Sequence, residues 1–198
     1  MTLILASRSS ARQAMLRAAH ISYRVELPDA DEDVAKAAFR STNTDPQALA
    51  MYLAEFKAQA LNPVDPTTLI IGSDQTLALD DGSMLDKARD QDELACQLRR
   101  MAGRTHQLIS AAVLVRGGEV IWRDVERVAL TMRPLSDDFI RDYIAREWDE
   151  VRFCVGGYRI EGHGVQLFDR IEGSHFAIMG LPLLSLLRAL RAQGILAS

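Results

Sequence analysis

Asp74 is the residue around which chemistry can be built. It stands in the run Leu69-Ile70-Ile71-Gly72-Ser73-Asp74-Gln75, in which three consecutive apolar residues read as a strand buried on both faces, with the carboxylate three residues past its end. Ligands of open α/β sheets collect beyond the carboxyl ends of strands, so an acid there suits a general base or a metal ligand. A turn-forming aspartate has the same signature. Gly72 lets a backbone or a phosphate approach closely, and Ser73 and Gln75 flank the acid with polar groups. Positive charge is supplied by Arg8 and Arg12, in Ser7-Arg8-Ser9-Ser10-Ala11-Arg12, and by Lys87, which otherwise reads as a surface lysine. The acidic run Asp29-Ala30-Asp31-Glu32-Asp33 is either a solvated loop or an oxygen-rich site for Mg²⁺ or Mn²⁺. Between Cys154 and Gly164 there are four glycines in eleven residues, as in a loop held near a ligand, with Glu161 at its middle. His163 in that loop reads as an ordinary loop histidine.

These residues must be positioned by alternating strands and helices. Leu3–Ala6 reads as a first strand, followed by a hydroxyl-rich turn and a helix starting near Ser9 or Ser10, with Ser10 and Gln13 in capping-box spacing. Such a strand, turn and helix N-terminus is a ready anion site, although it is not a Walker loop. Tyr23–Leu27 alternates like a half-exposed strand. Asp45-Pro46 starts a helix with Leu49, Tyr52, Leu53, Phe56 and Ala60 on one face and Asn62-Pro63 at its stop. Lys57 lies off that stripe, where it can face a cleft. Asp80-Asp81-Gly82-Ser83 turns a hairpin between Thr76–Leu79 and Met84-Leu85, and Asp90 opens a helix that runs to about Met101 and closes at Gly103. His106–Val115 and Val120–Val128 form a second hairpin, Ser136 begins a helix, and Val165–Ile171 and Phe176–Met179 read as strands. Gly180-Leu181-Pro182 precedes a last helix that Gly194 ends. Helices alternating with strands early and hairpins later imply a mixed sheet.

Composition narrows the partners. The 198 residues suit one domain, residues 1–198, or two lobes sharing a sheet. A formal net charge of -4 argues against a nucleic acid polymer or an anionic membrane as partner, and no apolar run is long enough to span a bilayer. The N-terminus lacks the form of a signal peptide, so a cytoplasmic protein is expected. Cys96 and Cys154 have neither a disulfide framework nor zinc-site spacing.

Leu5-Ala6-Ser7-Arg8-Ser9-Ser10-Ala11-Arg12, Gly72-Ser73-Asp74-Gln75, Lys87-Ala88-Arg89-Asp90, Gly103-Arg104-Thr105-His106 and Gly180-Leu181-Pro182 stand in one order along the chain. In them the sequence resembles the Maf family of nucleoside triphosphate pyrophosphatases over essentially its whole length. The resemblance implies an elongated, two-lobed mixed α/β sheet flanked by helices, an inosine triphosphate pyrophosphatase-like fold with a central cleft. It implies hydrolysis of the α–β phosphate bond of a nucleotide with a divalent cation, Mg or Mn. It also implies site residues: Asp74 as proton acceptor, Lys87 as the cleft lysine, Ser7 and Arg12 on the phosphate side, Glu32 as the acid near the metal, and Glu32 with Asp74 as metal ligands. A second copy of the chain is kept open as a partner. Two departures stand out: one arginine of the usual Ser-Pro-Arg-Arg is replaced by Ala11, and the usual Lys-Pro is Lys87-Ala88.

The branch that this chain resembles acts on 7-methyl-GTP, with Ala11, Gln75 and Glu161 expected to set preference. Glutamine donates and accepts and can match a pyrimidine edge, whereas an ionised glutamate only accepts. The N–H donors of guanine suit Glu161, and the cationic 7-methylguanine ring adds charge attraction. Two alternatives are a dTTP/UTP or broad-specificity pyrophosphatase and, of another class, a nucleotide-binding regulator of cell division.

Overall fold

The helices begin where a side chain satisfies their free N–H groups. The computed structural model describes residues 2–61 and 65–197. Ser9 caps α1 (Ser10–Ala18) through the Arg12 N–H, one residue ahead of the expected capping box. Asp31 caps α2 (Glu32–Arg40) through the Asp33 and Val34 N–H groups, so the acidic run is not a plain solvated loop: it opens a helix. Asp45 caps α3 (Pro46–Gln59), Asp90 caps α4 (Gln91–Met101) and Ser136 caps α5 (Asp137–Val151), all as expected. The Asn62-Pro63 stop lies outside the described residues.

One seven-stranded sheet runs in the order β2-β1-β3-β5-β6-β7, with β4 paired to β3. Its strands are β1 (Leu3–Leu5), β2 (Arg24–Val25), β3 (Leu69–Ala78), β4 (Met84–Leu85), β5 (Thr105–Arg116), β6 (Glu119–Met132) and β7 (Phe168–Glu172). The sheet is mixed: β1 pairs in parallel with β2 and β3, while β3 with β4 and β6 with β7 are antiparallel. Gly117 and Gly118, with φ of +58° and +82°, make the two-residue turn between β5 and β6. The mixed α/β class agrees with the sequence. Three local expectations do not. Leu69–Ile71 and Thr76–Ala78 are parts of one continuous strand, β3, which stops short of Leu79, so Asp74 sits inside a strand rather than beyond its end. Val165–Leu167 belong to a 3₁₀ turn, His163–Leu167, ahead of β7. Phe176–Met179 is not a strand, because Ser174 caps a short helix, α6 (His175–Ile178). The last helix, α7 (Leu183–Ala192), follows Pro182.

The chain forms two compact units: Met1–Gln75, Ser110–Glu126 and Gly180–Ser198 make the first, Thr76–Ile109 and Arg127–Met179 the second. The first is built on Leu5, Leu16, Leu49, Leu53, Ile70 and Ile71, all almost completely buried. The second packs Leu94, Leu98 and Met101 of α4 with Val128, Leu130 and Met132 of β6 and with Ile140 and Tyr143 of α5. No described helix is long and apolar enough to cross a membrane.

Candidate active site

A missing side chain brings the central charges of the first unit together. A Cβ at Gly72 would lie 2.1 Å from the Ala54 carbonyl oxygen and 2.8 Å from the Ala58 Cβ, so only glycine lets α3 approach β3 this closely. The backbone that Gly72 admits is thus that of a helix. Lys57, between Ala54 and Ala58, is carried to the strand: its Nζ lies 2.7 Å from Asp74 Oδ1 and 3.0 Å from Glu32 Oε1. Phe39 of α2 stacks on Tyr52 of α3, ring centroids 4.9 Å apart, and holds the helix that bears Glu32. Lys57 and Asp74 are largely shielded, with 12% and 15% of their side chains exposed, against 43% for Glu32. The trio sets two carboxylates on one ammonium, and the Lys57–Asp74 pair is shielded enough to interact more strongly than a pair at the surface.

Two carboxylates with hard oxygen donors, one of them open to solvent, fit a magnesium-type ion that completes its shell with water and substrate phosphates. Among the described residues no group of three or more acidic, histidine or cysteine side chains forms a complete metal cage. Glu32 and Asp74 are the residues that would hold such an ion.

Arg12 is buried and works inside the protein. It donates to Ser7 Oγ (3.2 Å), to the Ser73 carbonyl (3.0 Å) and to the Gly180 carbonyl (2.9 Å). Gly180, with φ of +101°, has its missing Cβ 3.0 Å from Arg12 Nε, which explains a glycine ahead of Leu181-Pro182. Ser7 Oγ also accepts from the Ser9 N–H at 3.2 Å. Arg12 therefore ties the first turn to the strand segment next to Asp74, while Arg8 is the exposed cation of that turn. Ala11 is half-buried on α1. Gln75 follows Asp74 in the strand, so its side chain leaves the opposite face of the sheet, where its Nε2 donates to Ser110 Oγ at 2.8 Å.

Lys87 and Glu161 belong to the second unit, and both are exposed. They act on one thiol: burial first, then Glu161, pushes the Cys154 thiol up, whereas Arg159 and Lys87 draw it down. Gly156 and Gly157, at φ of +81° and +67°, let the glycine-rich loop pack on Leu77 and Leu94, where a Cβ would come within 2.6 Å and 2.0 Å. Tyr143 Oη donates to the Gly157 carbonyl at 3.0 Å, and His106 Nε2 meets Tyr158 Oη at 2.7 Å. Burial lowers the His106 pKa to about 4, which leaves its ring neutral at pH 7.

Of the residues that the sequence singles out, Ser7, Arg12, Glu32, Asp74, Gln75 and Ala11 lie in the first unit, and Lys87 and Glu161 in the second. Lys57, placed by the helical pattern only off the apolar stripe, is the hub of the acidic pair. Nothing local in the sequence marks it, because the approach of Ala54 and Ala58 to Gly72 is made by tertiary packing. Gln97 gave a signal: a polar residue three positions after Leu94, on the buried face of α4.

The family model described as Maf-like protein matches residues 2–193. A nucleoside triphosphate pyrophosphatase of Sphingopyxis alaskensis is 52% identical over 195 residues, 98% of each chain. A 7-methyl-GTP pyrophosphatase of Rhizobium etli is 42% identical over 192 residues, 97% of this chain and 96% of the relative. A solved dITP/XTP pyrophosphatase from Mycobacterium abscessus aligns over 97% of this chain and 94% of its own at 18% identity, with a TM-score of 0.41. With a family model spanning nearly the full length and relatives above 40% identity, the chain belongs to the Maf-like protein family.

Proposed function

We propose that this protein is a nucleoside triphosphate pyrophosphatase that hydrolyses the α–β phosphate bond and acts preferentially on 7-methyl-GTP. The observation that carries the reading is Asp74, set by Gly72 against the Lys57 ammonium and beside Glu32. A shielded carboxylate with its charge balanced is equipped to take a proton from water as the water oxygen bonds to the α-phosphorus. The bond from that phosphorus to the bridging oxygen breaks, releasing pyrophosphate and leaving the nucleoside monophosphate. Lys57 holds Asp74 in place and offsets negative charge as it develops, and Lys87 supplies positive charge to the departing phosphates. Arg8 takes the phosphate-side role at the first turn, with Arg12 and Ser7 fixing the shape of that turn.

A triphosphate approaching Glu32 and Asp74 brings like charges together, and a divalent cation held by those carboxylates, Mg²⁺ or Mn²⁺, would neutralise and orient the phosphates. The preference for 7-methyl-GTP is supported by Glu161, an exposed acceptor-only carboxylate at the glycine-rich loop, with Ala11 and Gln75 as its companions in specificity. It is also supported by relatives of that name at 42–43% identity.

The test is release of pyrophosphate from a panel of canonical and 7-methylated nucleoside triphosphates with Mg²⁺ or Mn²⁺. The wild type should release it, fastest from 7-methyl-GTP, and Asp74→Asn should stay folded and release essentially none. A wild type that binds nucleotide without releasing product would instead make the protein a nucleotide-binding regulator.

A further inference from the structure

Gln97 is 6% exposed on the core-facing side of α4, between the fully buried Leu94 and Leu98. An amide in that position costs stability unless it is paired, and half of this one is not: Oε1 is buried without a partner. The other half is used. Nε2 donates to the Asp86 carbonyl at 3.1 Å, directly before Lys87. On the far side of Lys87, the Arg89 N–H donates to Glu93 Oε2 at 2.9 Å, and Glu93 lies one helical turn before Gln97. Two side chains of α4 thus hold the backbone on both sides of a lysine whose own side chain is exposed. The same helix face supports the glycine-rich loop, since Leu94 fills the space that a Cβ on Gly157 would need. A partly unsatisfied buried amide is poor use of a core position for stability alone, and such local costs are retained where a site must be held.

We propose that Gln97 is a positioning residue for Lys87, fixing the backbone from which the ammonium reaches the departing phosphates. This rests on the reading of Lys87 as a phosphate contact. Position 88 offers an independent way to stiffen the same segment, because proline fixes φ and removes freedom from the loop.

The experiment is steady-state pyrophosphate release from 7-methyl-GTP and UTP, with Mg²⁺, by wild type, Gln97→Met, Lys87→Met and the double variant, each checked for a cooperative melting transition. Misplacement of a catalytic group by an ångström costs up to about 100-fold, so Gln97→Met should lower kcat by about tenfold or more with KM little changed. In the Lys87→Met background the same substitution should have almost no further effect, because nothing remains for it to position. Ala88→Pro added to Gln97→Met should restore much of the lost kcat. Gln97→Asn, which keeps an amide but withdraws it by one methylene, should behave like Gln97→Met and serves if the latter fails to fold. Equal losses from Gln97→Met with and without Lys87, or a normal kcat in both Gln97 variants, overturn the positioning role. A normal kcat in Lys87→Met overturns the underlying reading of Lys87 instead.

Discussion

Lys57 Nζ and Asp74 Oδ1 stand 2.7 Å apart across the contact of α3 with β3, and the same ammonium holds Glu32 at 3.0 Å. Removing the lysine leaves two carboxylates facing each other with no cation between them. Lys57→Met should therefore reduce pyrophosphate release by about 100-fold or more, on the scale of losing one preorganised electrostatic partner. Single-turnover measurements with saturating 7-methyl-GTP check this. Wild-type turnover in that variant would remove Lys57 from the chemistry.

Arg12 should matter to stability first. Its acceptors include Ser7 Oγ and the carbonyls of Ser73 and Gly180, which come from three separate stretches of the chain. Arg12→Met should cost about 3 kcal/mol or more, since buried acceptors lose their donors. Arg12→Lys should recover little, because one ammonium cannot reproduce the fork of a guanidinium. Urea unfolding followed by circular dichroism measures both.

Specificity should answer to Glu161. Glu161→Gln should lower the ratio of 7-methyl-GTP to UTP turnover by about tenfold, the scale of one charge-assisted hydrogen bond. Competition of the two nucleotides in one reaction reads that ratio directly, and an unchanged value excludes Glu161 from base selection.

His106 makes stability depend on pH. Unfolded, the ring titrates near 6.5; buried against Tyr158, near 4. Between those values the unfolded chain binds a proton that the folded chain does not, so stability falls as pH drops through 6.5 and the loss is complete below 4. The full effect is about 3 kcal/mol. Urea midpoints measured from pH 7 to 4.5 should fall less steeply in His106→Gln than in the wild type.

Much of the fold was legible because it is written in local chemistry. Asp45-Pro46, Asp90 and Ser136 are caps whose side-chain oxygens meet backbone N–H groups two or three residues on, and the two glycines at 117 and 118 fix a hairpin by their φ alone. Short apolar runs were less informative, since periodicity cannot separate a four-residue strand from one turn of buried helix. Phe176–Met179 fell on the wrong side of that ambiguity, and Ser174 was the unread signal. The close approach expected at Gly72 is there, made by the backbone of α3, but the strand runs on through Gly72 to Ala78 instead of ending at Ile71. The carboxylate of the candidate site could be named from Gly72-Ser73-Asp74-Gln75, but its lysine partner could not. The Lys57 contact depends on the approach of α3 to β3, which is a property of tertiary packing. The acceptors of Arg12 and Gln97 are not legible for the same reason, since they include carbonyls 168 and 11 residues away.

The bond from Arg12 to Gly180 spans 168 positions of the chain. During synthesis, the first turn and the strand bearing Asp74 emerge long before the carbonyl that completes the arginine's set of acceptors. Contacts of such separation are costly to close and form late. A nascent chain that has not yet delivered residue 180 thus carries the first turn and the strand of Asp74 without the bond that ties Arg12 to the Gly180 carbonyl.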